Sequence, residues 1–112
     1  MPPRDWTFRI QDILEAIAKI QRYVADVDFD MFENDEEIMD AVIHNLTVIG
    51  EAANHVPAEI VAQNPRIPWR QMVDLRNFSV HAYWNLRPAV IWDTIQNDLP
   101  PLIEPLQRLL SK

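Results

Sequence analysis

Cysteine is absent from the 112 residues, and glycine occurs once, at Gly50. Without cysteine the chain can hold neither a disulfide framework nor a zinc–thiolate site, and a reducing compartment suits it. With a single glycine there is no glycine-rich loop to wrap backbone amides around nucleotide phosphates. Long apolar runs are missing too, since no stretch approaches the roughly 18 residues of a membrane span. The opening Met1-Pro2-Pro3-Arg4-Asp5-Trp6 has neither the basic start nor the apolar stretch of an export signal. The expectation is a cytoplasmic, soluble protein with no membrane association. A chain of this length fits one domain around one hydrophobic core, spanning 1–112.

Positive charge is also scarce: ten Lys and Arg face seventeen Asp and Glu, a formal net charge of −7. The distribution is uneven. Asp26, Asp28, Asp30, Glu33, Asp35, Glu36, Glu37 and Asp40 follow one another with no basic residue among them. Setting those eight carboxylates aside turns −7 into +1. Between Arg66 and Arg87, four arginines stand against Asp74 alone. The charge pattern predicts a polarised molecule with one acidic end and one mildly basic end. So few cations exclude strong non-specific binding of nucleic acid.

What is abundant is helical periodicity. Ile10, Ile13, Ile17, Ile20, Val24 and Val27 recur at alternating spacings of three and four, a seam predicting a long helix from Asp5 to Val27. The acidic stretch around Phe29 and Phe32 reads as a loop. Asn34 is expected to cap a second helix whose core face is Ile38, Val42, Leu46, Ile49, Ala53 and Val56, ended by Pro57. A short helical piece from Ala58 to Ala62 precedes the breaker-rich Asn64-Pro65-Arg66-Ile67-Pro68. Pro68 suits the first position of a third helix from Trp69 to about Tyr83. Asn85-Leu86-Arg87 is a connector, Pro88 opens a fourth helix, and Pro100 and Pro101 interrupt it. Four to five helices with short connections imply an all-α, up-and-down bundle.

Chemistry concentrates in Leu75-Arg76-Asn77-Phe78-Ser79-Val80-His81-Ala82-Tyr83, an R-x4-H-x-Y pattern. Histidine, with an ordinary pKa of about 6.5, can move protons at neutral pH. Arginine offers an always-charged planar fork for phosphate oxygens. Together they make a minimal metal-independent kit for cutting RNA, with a cyclic phosphate product. On one ideal helix, residues five apart lie about 140° apart around the axis, so Arg76 and His81 would not share a face. Asn77 and His81, four apart, would, which places Asn77 to orient the imidazole or touch substrate. Two copies around a two-fold axis would supply both groups to one cleft. Asp40 with His44, and Glu51 with His55, are spaced for surface carboxylate–histidine pairs; at roughly 16 Å apart the two pairs are too distant to share a metal ion.

The same stretch resembles the HEPN-type motif, and the chain resembles the HepT-like family along nearly its whole length. Gly50-Glu51-Ala52-Ala53, Ile67-Pro68-Trp69, Leu75-Arg76-Asn77, Val90-Ile91-Trp92 and Asp98-Leu99-Pro100 carry the resemblance in order and spacing. Ala82 stands where glycine would be expected, and Leu75 where methionine is common. The resemblance implies a HEPN-like bundle that forms a homodimer, with paired motifs at the interface. It further implies a ribonuclease toxin in which Arg76 and His81 are catalytic and no cofactor is used. Glu51, within the Gly-Glu-Ala-Ala signature, is expected to face the motif helix and brace Arg76 or Asn77. The implied partner is an MntA-like minimal nucleotidyltransferase antitoxin that transfers AMP from ATP to the motif tyrosine, here Tyr83. Trp84 beside it is a candidate stacking residue for a base. The competing reading is a catalytically silent nucleotide-binding or interaction module that docks such an enzyme.

Overall fold

The computed structural model describes residues 5–78 and 87–111. Over these the chain is helical and contains no strand. The elements are α1 (Trp6–Val24), α2 (Phe29–Glu33), α3 (Glu36–Asn54), α4 (Ala58–Gln63) and α5 (Trp69–Asp74), followed by a 3₁₀ turn over Leu75–Asn77. After the undescribed segment come α6 (Pro88–Asp93), a π turn over Thr94–Asp98, and α7 (Pro100–Leu110).

The isoleucine seam of α1 becomes the floor of the core. Ile10, Ile13, Ile17 and Ile20 are all but inaccessible, with Ala16 beside them. Burying each such side chain stabilises the fold by roughly 1.5–3 kcal/mol. This face packs against α3 and, along another flank, against α7. The buried face of α3 is wider than its expected stripe: Met39, Ile43 and Ala52 join Val42, Leu46, Ile49 and Ala53, while Ile38 stays half-buried. The breadth follows from position, because α3 is the central helix and carries α1, α2, α5 and the 3₁₀ turn. A helix with neighbours on several sides needs more than one apolar stripe.

The supposed acidic loop is instead a short helix. Asp28 caps α2 by accepting the Met31 amide at 2.9 Å. Phe32 is fully buried, and its ring meets the Trp92 ring of α6 at 5.2 Å between centroids. Phe29 approaches the same indole edge-on at 6.1 Å. The carboxylates face water while the two aromatics tie α2 to α6. Asn34 ends α2 rather than starting α3, its side-chain amide donating to the Asp30 carbonyl at 2.8 Å. Asp35 caps α3, accepting from the Ile38 amide at 3.0 Å. A charged acceptor is the better partner for the positive end of a helix. Glu36 and Glu37 occupy the first turn behind it.

Two further boundaries differ from expectation. The third helix stops being α-helical at Asp74, tightening into the 3₁₀ turn over Leu75–Asn77. Pro68 sits one place earlier than expected, as the N-cap of α5. At the other end of the chain, Pro100 and Pro101 bring no amide hydrogens to the helical ladder. The helix answers by inserting a residue: the Leu99 amide reaches back five positions to the Thr94 carbonyl at 3.1 Å. α7 then restarts with the prolines at its first positions. No helix among the described residues is long and apolar enough to cross a membrane.

Candidate active site

Arg76 stands on the 3₁₀ turn, where α5 has just ended against the middle of α3. The contact at this crossing is unusually close, and Gly50 is why. A Cβ built on Gly50 would lie 2.5 Å from the Arg76 nitrogen, 2.7 Å from the Arg76 Cβ and 2.9 Å from the Val73 carbonyl oxygen. None of those distances is open to a real side chain. A glycine inside a helix costs about 1 kcal/mol relative to alanine. Here it lets the backbone of the turn lie directly on α3. Ala52 and Ala53, which follow on α3, are both nearly inaccessible.

The next residue on α3 grips the side chain. The Glu51 carboxylate Oε1 lies 3.6 Å from the Arg76 Nη1, with the two side chains 53% and 41% exposed respectively. At that exposure the pair contributes no more than about 1 kcal/mol to stability. Its consequence is directional. One nitrogen of the fork turns toward Glu51, and the half-exposed side chain leaves part of the fork open to solvent.

Asn77, on the same turn, is exposed. Because the α-helix ends at Asp74, Leu75–Asn77 does not follow the α-helical angles expected of it, and the relation of Asn77 to His81 lies outside the described residues. His81, Tyr83 and Trp84 lie outside the described residues. Leu75 and Phe78 lean back onto the core. With Met72, Thr94 and Asp98 they line a recess of about 350 Å³ between the α5 end and the π turn.

The carboxylate–histidine pairs differ from their expected form. The His55 ring bonds the Glu51 backbone carbonyl at 2.7 Å, leaving the Glu51 carboxylate to Arg76. His44 borders a polar recess between α1 and α3 shared with Asp12, Glu15 and Lys19, while Asp40 is exposed. Among the described residues no group of three or more His, Asp or Glu side chains is placed to hold a metal ion. What sequence reasoning missed is the role of Gly50. Its signal was visible: the only glycine of the chain falls inside a helical pattern, where close approach of another backbone is the usual reason.

Comparison with known proteins identifies the family. Residues 13–109 match the family described as ribonuclease HepT-like. A candidate RNase of Methanocaldococcus jannaschii is 34% identical over 111 residues, covering 99% of this chain and 92% of that protein. A ribonuclease HepT candidate of Thermococcus cleftensis is 35% identical over 100 residues, covering 89% of this chain and 91% of that protein. A second M. jannaschii RNase candidate is 32% identical over 102 residues, covering 91% and 94%. No solved structure matches.

Proposed function

The chain belongs to the HepT-like ribonuclease family, and from that membership we propose that it is a metal-independent endoribonuclease toxin neutralised by a nucleotidyltransferase. The observation that carries the reading is the seat of Arg76: a guanidinium held on one side by Glu51, half-exposed, on a turn pressed against α3. That placement, beside a carboxylate and open to solvent, suits a phosphate-binding arginine.

In the proposed reaction the ribose 2′-oxygen attacks the adjacent phosphorus while its proton passes to a base. The bond from phosphorus to the 5′-oxygen breaks, and that oxygen takes up a proton. The products are a 2′,3′-cyclic phosphate and a free 5′-hydroxyl. Arg76 neutralises the charge that grows on the non-bridging oxygens. His81 does the proton work. Asn77 orients the site, and Glu51 holds the arginine. A homodimer with paired motifs provides one cleft with two sets of these groups. Tyr83 is the acceptor for AMP from an MntA-like antitoxin, its hydroxyl displacing pyrophosphate from ATP. The anionic adduct would repel and obstruct the RNA backbone.

The net charge of −7 favours a second reading, a silent interaction module. Two measurements separate them. Purified protein is expected to cut RNA in EDTA and leave cyclic phosphate ends, and its RNA binding is expected to weaken as salt rises. Intact RNA together with salt-insensitive binding would favour the silent module.

A further inference from the structure

Nothing in the backbone of α3 calls for glycine at position 50. No described residue has a positive φ, and the position lies well inside the helix Glu36–Asn54, where glycine is a poor choice. The cause lies across the helix crossing. The atoms that a Cβ would strike are the Arg76 nitrogen, the Arg76 Cβ and the Val73 carbonyl oxygen. Two are backbone and the third is the first atom of the side chain, so no rotamer change can clear them. Any side chain at position 50 must displace the turn that carries Arg76.

We propose that Gly50 is a positioning residue for the ribonuclease reaction: its bare Cα sets the depth at which the 3₁₀ turn seats on α3, and thereby delivers the Arg76 guanidinium to its working place. Gly50 and Glu51 act as one device. The first receives the backbone of the turn, and the second receives the side chain that the turn carries. This inference rests on the ribonuclease reading above and adds a residue with no functional group to its machinery.

The size of the effect follows from the geometry. Moving from 2.5 Å to an ordinary contact of 3.4 Å or more shifts the turn by about 1 Å, and misplacement on that scale costs about 100-fold in rate. Gly50→Ala is therefore expected to lower kcat per folded molecule about 100-fold while KM for RNA stays within about threefold. Glu51→Gln is expected to lower kcat in the parent chain but to add nothing in the Gly50→Ala background, because the displaced guanidinium has already left the carboxylate. Unchanged activity per folded molecule in Gly50→Ala would overturn the proposal, as would losses that simply multiply in the double variant.

Should Gly50→Ala fail to fold, hydrogen exchange in the unaltered chain decides. The Arg76 amide is expected to exchange only when α3 opens, with protection matching the Ile49 amide. Exchange near the unfolded rate would sink the idea. If the parent protein cuts no RNA, the ribonuclease reading fails, while the exchange measurement still reads whether the seat exists.

Discussion

Replacing Arg76 with alanine should separate catalysis from stability. The Arg76 side chain is 41% exposed and that of its partner Glu51 53% exposed, with the charged groups 3.6 Å apart. A pair so open to solvent holds the fold by no more than about 1 kcal/mol. The atoms that meet Gly50 are backbone atoms of Arg76 and Val73 and the Arg76 Cβ; alanine keeps all of them, so the turn stays seated. Urea unfolding should therefore show a midpoint shift worth about 1 kcal/mol or less with an unchanged slope. Catalysis should respond on another scale. A preorganised donor aimed at developing negative charge contributes about 2.7–4 kcal/mol to the transition state, or about 100- to 1,000-fold in kcat. Arg76→Lys keeps the charge but loses the planar fork, and is expected to fall between the two. The assay is cleavage of a defined RNA under single-turnover conditions, scaled to the folded fraction from circular dichroism. A loss of stability above about 2 kcal/mol, with an activity loss no larger than the unfolded fraction, would refute the reasoning and make Arg76 a structural residue.

Two further predictions concern the framework around that turn. Phe32→Ala removes a fully buried ring packed at a tilt against Trp92 and is expected to destabilise the domain by about 3–5 kcal/mol in denaturant unfolding; a cost below about 1 kcal/mol would mean that α2 does not anchor to α6. Asp35→Ala removes the cap that accepts from the Ile38 amide and should cost about 1 kcal/mol, with thermal unfolding as the readout and no change as the contrary result.

The parts of the fold legible in sequence were those governed by one period. The α1 seam and most of the α3 stripe were visible because alternating spacings of three and four place those residues on one helix face. Proline marked the opening of α6 and the interruption before α7 for an equally local reason: it lacks an amide and fits where none is needed. α2 was hidden because it lies in a run of eight carboxylates that reads as a solvated loop, and composition does not say that Phe32 will find Trp92 sixty residues later. The cap of α3 was misplaced by one residue for a related reason. Asn34 and Asp35 both suit a cap, and only the preceding helix decides that Asn34 is already used.

At the site, Arg76 and Asn77 were marked by pattern, and Glu51 by its place in a family signature. The break from α-helix to 3₁₀ turn at Leu75 carries no local signal, since neither glycine nor proline lies in Trp69–Asn77. It arises where the chain meets α3, a tertiary effect that periodicity does not encode. The angular argument assumed a continuous α-helix, which Leu75–Asn77 is not, and its other end, His81, lies outside the described residues.

The central claim is that this turn belongs to an RNA-cutting centre in which His81 moves the proton. Incubating the purified protein with RNA in EDTA, beside His81→Ala of equal folded content, tests it most directly. Cleavage by the parent protein, with 2′,3′-cyclic phosphate ends and RNA left whole by the variant, is the predicted result. Equal cleavage by both would remove His81 from the reaction, and no cleavage by unmodified protein would contradict the ribonuclease account.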